Sequence, residues 1–300
     1  MPARNARTGL LLLVGLCLAR AGVAAESGST PTLWRALGED GHEAFYLMGS
    51  VHVGRAGMLS FPPPVERAWE RADELVLEVE PDDLEAGAMR AALRYGRIEP
   101  PATLRDRLSP RALDALSRYL ETQDESLGLY LQVAPWAIAL QIVAREAARA
   151  GLDPRHGVDR HFAQRAEGTK PVVGLETAAS QLEMLAHLPR ATQEALLLDT
   201  LEHVGDVRSE AEALVDAWAR GDDVAVERVF YRSMYEAPEL SVYFEQLILG
   251  RNETMTKRLA SLARDGKLRF VVVGAGHMVG ERGIPALLRD YGYRLDEVER

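Results

Sequence analysis

The 300-residue sequence contains a single cysteine, Cys17, which lies in an apolar stretch close to the N-terminus. That stretch, residues 9–19, follows Arg4 and Arg7 and is followed by small residues, a pattern typical of a secretory signal peptide. We predict that residues 1–25 are this signal peptide, and that the protein is exported to the periplasm or the extracellular space. Cleavage would leave no thiol, which excludes disulfides, cysteine nucleophiles and thiolate metal ligands.

Long apolar runs are also missing from the sequence. The apolar stretch at residues 9–19 is too short to cross a bilayer, which takes roughly 20 residues. A lipoprotein signal would place a small residue directly before the cysteine, whereas Leu16 precedes Cys17. We therefore expect no stable membrane span and no lipid anchor.

Positive charge is scarce. The 35 Lys and Arg residues face 45 Asp and Glu residues, which gives a net charge of −10. Three of the arginines lie in the first 25 residues, so without these three the net charge becomes −13. Nucleic-acid binding needs clustered positive charge, and we predict no nucleic-acid partner. With 47% apolar and 27% charged residues, the chain is typical of a folded protein.

Short strand-like segments alternate with helical periodicity along the rest of the chain. The predicted strands are at residues 32–37, 44–48, 74–80, 170–174, 268–273 and near 293–295. This alternation predicts an α/β fold with a largely parallel central sheet flanked by helices. Helical insertions are expected at about 84–168 and 177–264. No Pro- or Gly-rich linker divides the chain, so residues 26–300 are predicted to form a single domain with a helical subdomain.

Four predicted strands end in residue types that chemistry uses. They end in His52, in Glu78 and Glu80, in Glu176, and in His277. In open α/β sheets, ligands bind outside the carboxyl ends of parallel strands. We therefore expect two histidines and two or three glutamates to meet at one edge of the sheet.

His52 and His277 follow their strands in the same local pattern, Gly-x-x-His. The glycine permits a sharp turn that places the imidazole over the end of the strand. Imidazole and carboxylate together are typical ligands of a divalent metal such as Mn, Co, Zn or Fe. We predict His52, His277, Glu78 and Glu80 as metal ligands, with one of the two glutamates as ligand or general base.

Alternatives exist for the glutamates. Glu78 and Glu80 face the same side if the strand continues through both, but both are solvated if the strand ends at Leu77. Glu176 either joins the site or is a first-turn acid of the helix that begins near Thr177.

An arginine interrupts an apolar helical stripe. Leu247, Met255 and Leu259 recur with Arg251 at steps of four, and Asn252 lies at the edge of the stripe. An inward guanidinium is expected to meet a strand-end glutamate or an anionic group of the substrate. The alternative is an arginine at the margin of the stripe that extends to solvent.

Other catalytic patterns are missing or incomplete. The sequence has no His-Glu-x-x-His segment and no Gly-x-Ser-x-Gly turn. Ser50 would need His52 to reach back against its own backbone, so a serine hydrolase is disfavoured. The glycines at residues 274–280 are similar to a dinucleotide-binding turn, but too few residues follow for a second βαβ half. Asp159 is interpreted as a structural helix cap.

Several segments together resemble the TraB/GumN family. They are residues 46–54, 77–78, 135–137, 157–159, 170–177, 251–252 and 273–277, and the resemblance extends over about residues 31–299. It implies a fold similar to the erythromycin-esterase and ChaN-like proteins and a relationship to the Tiki metal-dependent proteases. By this resemblance His52, Glu78 and His277 match metal and catalytic positions, and Glu176, Arg251 and Asn252 match supporting ones. Glu80 stands where many relatives have Asp.

These observations predict an exported metal-dependent hydrolase of the peptidase type, in which Arg251 steadies the substrate or a developing oxyanion. The substrate would be a peptide or a small molecule, and the sequence assigns no oligomeric state. One alternative is a protein of the same fold that binds a metal, haem or small ligand without turnover. Another is a vestigial site in a protein that acts by contact.

Overall fold

The computed structural model describes residues 28–299. The predicted signal peptide, residues 1–25, lies outside the described residues. Within residues 28–299, no helix combines the length and the apolar character needed to cross a membrane.

Strands of the described chain form one six-stranded sheet. They are β1 (Leu33–Leu37), β2 (Glu43–Ser50), β3 (Glu74–Val79), β4 (Val172–Glu176), β5 (Arg269–Gly274) and β6 (Arg294–Glu297). Their order in space is β4-β3-β5-β2-β1-β6. The first four of these pair in parallel, and β1 pairs antiparallel with both β2 and β6. The prediction of an α/β fold with a largely parallel sheet is confirmed.

Helices fill the connections between the parallel strands. They are α1 (Pro63–Arg71), α2 (Ala88–Tyr95), α3 (Pro110–Glu121), α4 (Pro135–Arg149), α5 (Val158–Ala166), α6 (Ala178–His187), α7 (Arg190–Glu202), α8 (Val207–Ala219), α9 (Asp223–Glu236), α10 (Ser241–Phe244), α11 (Gly250–Leu262) and α12 (Ile284–Asp290). A π-helical segment at Glu245–Leu249 joins α10 to α11. Helices α2–α5 lie between β3 and β4, and α6–α11 lie between β4 and β5, as expected of helical insertions.

Helices cover both faces of the sheet, which is why every residue of β3 and β5 is buried. Side chains alternate between the two faces along each strand, so the core divides into two clusters. One cluster includes Trp69 of α1 and Phe162 of α5. The other includes Met255 of α11 and Leu288 of α12. Because β2, β3, β4 and β5 pair in parallel, all four strands end at the same edge of the sheet.

Candidate active site

Each of the four parallel strands delivers one polar side chain to the shared edge. Glu78 is the penultimate residue of β3, and Glu176 is the last residue of β4. His277 lies in a 3₁₀ turn, Ala275–His277, directly after β5. His52 follows the end of β2 by two residues. Because β3 and β5 are neighbours in the sheet, Glu78 and His277 come together although 199 positions separate them in the chain.

Both carboxylate oxygens of Glu78 accept hydrogen bonds inside the protein. Oε1 accepts from the backbone N–H of Gly274 at 2.6 Å. Oε2 accepts from Nη2 of Arg251 at 2.5 Å and from the amide of Gln181 at 3.4 Å. Burial opposes ionisation, but the contacts with His277, Arg251 and His52 and the hydrogen bond from Gly274 outweigh it and hold the pKa of Glu78 well below its ordinary value.

Arg251 connects two of the strand-end glutamates, as the apolar stripe predicts. Besides its bond to Glu78, it donates from Nε to Glu176 at 2.8 Å and from Nη1 to the carbonyl of Leu247 at 3.1 Å. Only 2% of its side chain is exposed. Gln181 of α6, which the sequence analysis did not single out, also donates to Glu176 at 3.1 Å. With Nε, Nη1 and Nη2 all bonded to protein acceptors, Arg251 holds the two carboxylates together.

The imidazole of His277 has a defined orientation. Its Nδ1 lies 2.6 Å from Oδ1 of Asn252, and the amide nitrogen of Asn252 donates to the carbonyl of Arg282 at 2.8 Å. The oxygen of Asn252 therefore faces His277 and accepts a hydrogen bond from Nδ1–H, which leaves the neutral ring with a free lone pair on Nε2. Nε2 lies 3.8 Å from Oε1 of Glu78. Burial lowers the pKa of His277 to about 3, and the Glu78 carboxylate opposes this shift only in part.

His52 is held by an acidic partner that the sequence analysis interpreted as a helix cap. Its Nδ1 lies 3.2 Å from Oδ1 of Asp159, in the first turn of α5. Burial disfavours the charged ring, but Asp159 and Glu78 outweigh it and raise the pKa of His52 to about 9. The backbone explains the pairing, since the N–H of Val158 donates to the carbonyl of Val51. The sequence signal for this contact was the Gly157-Val158-Asp159 segment, which is one of the segments that resemble the TraB/GumN family.

His52, Glu78 and His277 surround one point, directly above Gly274. A Cβ atom added to Gly274 would lie 3.1 Å from Oε1 of Glu78, 3.4 Å from Cδ2 of His277 and 3.5 Å from Nε2 of His52. Exposed side-chain fractions are 1% for His277, 9% for Glu78 and 30% for His52. The cluster is therefore closed on the His277 side and opens to solvent beside His52.

Glu80 lies apart from this cluster. Strand β3 ends at Val79, between the two alternatives considered from the sequence, and Glu80 is exposed. Its carboxylate accepts a hydrogen bond from the backbone N–H of Gly174 at 3.3 Å. Glu176 does not cap α6, because Thr177 and Ser180 form the capping box of that helix. Of the two uncertain glutamates, the structure joins Glu176 to the cluster through Arg251 and places Glu80 at the surface.

Across residues 28–299, no group of three or more His, Cys, Asp or Glu side chains is arranged to hold a metal ion. The donor types above Gly274 nevertheless suit a divalent transition metal, since they are two imidazole nitrogens and a carboxylate. Hydrogen-bond acceptors at both Nδ1 atoms, Asp159 and Asn252, resemble the outer shell of metal-binding histidines.

Comparisons with known proteins identify the family of this chain. YbaP of Escherichia coli (strain K12), itself uncharacterised, is 28% identical over 255 residues, which cover 83% of this chain and 89% of YbaP. The metalloprotease TIKI2 of Xenopus tropicalis is 26% identical over 308 residues, which cover 85% of this chain and 58% of TIKI2. No solved structure matches the chain. The model of the TraB/PrgY/gumN family matches residues 32–297, and the chain belongs to this family.

Proposed function

We propose that this protein is a metal-dependent hydrolase that cleaves peptide bonds. The observation that carries the proposal is the convergence of His52, Glu78 and His277 above Gly274, with both Nδ1 atoms bonded to acceptors. This arrangement presents Nε2 of each histidine toward the same point. The similarity to the metalloprotease TIKI2 supports the reaction class. The predicted signal peptide supports export of the enzyme, and its substrates would then be periplasmic or extracellular.

In this proposal His52, His277 and Glu78 hold a divalent ion such as Mn, Co, Zn or Fe. When bound, the ion would supply a Lewis acid and lower the pKa of a water molecule. The low pKa of Glu78 suits it to the role of an anionic ligand better than to that of a proton acceptor. His52 must be neutral to bind a metal, so uptake of the ion would release a proton from its ring.

Two further residues, Arg251 and Asn252, position these groups. Arg251 fixes the carboxylates of Glu78 and Glu176 relative to each other through its two ion pairs. Asn252 fixes the tautomer of His277. Since the cluster opens to solvent beside His52, a peptide substrate would enter on that side. These placements favour a positioning role for Arg251 over the direct contact with substrate that the sequence had predicted.

A binding protein without turnover is the second candidate. Both oxygens of Glu78 are already satisfied inside the chain, and His277 is almost completely buried. Such a closed and internally bonded cluster also fits a site that retains a ligand without reaction.

Elemental analysis after dialysis against Mn, Co, Zn or Fe tests the proposal. We expect stoichiometric metal in the unmodified protein and its loss in His52→Ala and His277→Ala. His42→Ala is the matched control, because His42 is exposed and contacts only Asp40 at the surface. Peptide hydrolysis should follow metal content across the four proteins. Metal without hydrolysis would favour the binding protein, and no metal in the unmodified protein would refute the proposal.

A further inference from the structure

A second concave site lies in the helical layer, away from the strand-end cluster. It is a cavity of about 100 Å³ bordered by Arg97, Arg107 and Arg190. The three arginines come from separate segments of the chain. Arg97 follows α2, Arg107 follows a 3₁₀ turn at Leu104–Asp106, and Arg190 is the first residue of α7. We call this site the arginine cavity.

No acidic residue lines the arginine cavity. Its other lining residues are neutral and include Tyr95, Trp136 and Gln193. Within the described part of the chain, the three guanidinium groups have no hydrogen bond or ion pair, in contrast to Arg251 and the other paired arginines.

Asp106, the acidic residue next to Arg107 in the sequence, forms its hydrogen bonds elsewhere. Asp106 accepts hydrogen bonds from the backbone N–H of Thr103 at 2.8 Å and from its hydroxyl at 3.0 Å, and it is exposed. Asp106 therefore closes the local capping box with Thr103. The hydrogen bonds from Thr103, together with attraction from Arg107 and Arg190, lower the pKa of Asp106, but no hydrogen bond joins Asp106 to either guanidinium in the described chain. Three positive charges therefore border one small cavity whose lining contains no carboxylate.

Such a cluster is unexpected in a chain with a net charge of −10. Arg97 and Arg190 are exposed and Arg107 is half-buried, so water screens much of the repulsion between them, and an anion from solvent would meet all three at the cavity. The guanidinium group is planar and donates two parallel hydrogen bonds to the oxygens of a phosphate or carboxylate. A phosphate group offers at least three oxygens to three guanidinium groups, whereas a carboxylate offers two.

The size of the cavity limits what enters it. Sites for whole organic ligands occupy roughly 300–1,000 Å³, whereas this cavity holds about 100 Å³. Only an anionic group would fit inside, and the rest of the ligand would lie along the surface beside Tyr95. Helix α6 connects the two sites, because its Gln181 donates to Glu78 and Glu176 of the strand-end cluster and its Ala186 lines the cavity.

We propose that the arginine cavity binds the phosphate group of a phosphate monoester or of free phosphate. The proposal stands on the cavity and its three arginines, and it is independent of the proposed hydrolase activity.

Isothermal titration calorimetry at constant ionic strength tests it with inorganic phosphate, phenyl phosphate and acetate as probes. We expect both phosphates to bind the full-length protein, and acetate to bind at least about tenfold more weakly. Arg97→Ala, Arg107→Ala and Arg190→Ala should each weaken phosphate binding about tenfold or more. Tighter binding of phenyl phosphate identifies a monoester as the ligand, and tighter binding of inorganic phosphate identifies the free anion.

Two control variants keep the test specific. Arg105→Ala removes an exposed arginine that does not line the cavity, and it should leave phosphate binding unchanged. His52→Ala should also bind phosphate normally, which separates this result from that of the hydrolase proposal. Equal phosphate binding by the unmodified protein and the Arg97→Ala/Arg107→Ala/Arg190→Ala triple variant would overturn the proposal. Acetate binding as tight as that of phosphate would overturn it too.

Discussion

Arg251 is the residue on which the charge balance of the strand-end cluster depends. It is almost completely buried and bonded to Glu78 and Glu176, so its removal would leave two carboxylates buried without a cation. Removal of one partner of a buried ion pair costs more free energy than the intact pair contributes, because the desolvation of the remaining charge is no longer compensated. The residue therefore affects stability as well as the proposed chemistry.

We expect Arg251→Met to lower the free energy of unfolding by about 3–5 kcal/mol, measured by urea denaturation at neutral pH. Arg258→Met is the matched control, because Arg258 lies on the exposed face of the same helix. Its effect should stay within about 0.5 kcal/mol. Equal effects of the two substitutions would show that the buried ion pairs are not what stabilises this region.

Substitution of Gly274 tests whether His52, Glu78 and His277 converge on one metal site. The added methyl group of Gly274→Ala would press against Oε1 of Glu78 at 3.1 Å and would lie in ordinary contact with His52 at 3.5 Å. We expect a stability loss of about 1–3 kcal/mol from overpacking, and metal uptake weakened about 10–100-fold, both measured on the purified variant. Gly205→Ala is the control, since a Cβ there meets nothing within 4 Å. Unchanged metal uptake by Gly274→Ala would place the metal elsewhere.

Elements of the fold were predictable where the side-chain pattern was strong. Strands β1 and β2 and the helix that carries Arg251 lie where the sequence predicts them. Strand ends were less predictable, because pairing decides them and the side-chain pattern does not. Strand β4 runs from Val172 to Glu176, two residues later than predicted, since its register with β3 pairs Leu75 with Val172 and Val79 with Glu176.

Helix α7 contains a carboxylate whose burial predicts a pH effect. Asp199 is 15% exposed, and its Oδ2 has no hydrogen-bond partner in the described chain. Burial raises the pKa of Asp199 to about 6, Glu202 and Glu239 add to the shift, and His203 opposes it. Between about pH 4 and 6 the folded protein therefore binds more protons at Asp199 than the unfolded chain does. The contribution of Asp199 to stability falls as the pH rises through this range.

An asparagine in place of Asp199 stays neutral at every pH. We expect Asp199→Asn to be more stable than the unmodified protein by about 1–3 kcal/mol at pH 7.5 and to lose this advantage at pH 4. Urea denaturation at the two pH values measures the difference. Asp114→Asn, which changes an exposed carboxylate on α3, should show almost no difference at either pH. A difference in stability between Asp199→Asn and the unmodified protein that does not vary with pH would contradict the raised pKa of Asp199.

At the scale of the whole molecule, the net charge of −10 governs contacts with other polyanions. Three arginines at one cavity are too few for duplex DNA, which specific proteins bind through roughly 6–10 phosphate contacts. We expect no binding to a labelled duplex by fluorescence anisotropy in 150 mM salt, a condition of about physiological strength. A basic DNA-binding protein on the same duplex is the positive control. Saturable binding that weakens with added salt would contradict the prediction.

The sequence by itself determined which residue types end the parallel strands and that these ends share one edge. Local patterns are sufficient for this, because side-chain periodicity identifies strands and parallel strands end on the same side of a sheet. It also indicated that Arg251 points inward. These predictions need no knowledge of which helix lies against which strand.

Tertiary structure alone decided the partners. Asp159 reaches His52 because α5 starts beside the end of β2, and Gln181 reaches Glu78 because β4, which leads into α6, lies beside β3. Glu80 leaves the cluster because β3 ends one residue before it. The arginine cavity likewise brings Arg190 beside Arg97 and Arg107, which lie far from it in the sequence. Such contacts depend on the packing of elements that are distant along the chain, and periodicity within one element carries no information about them.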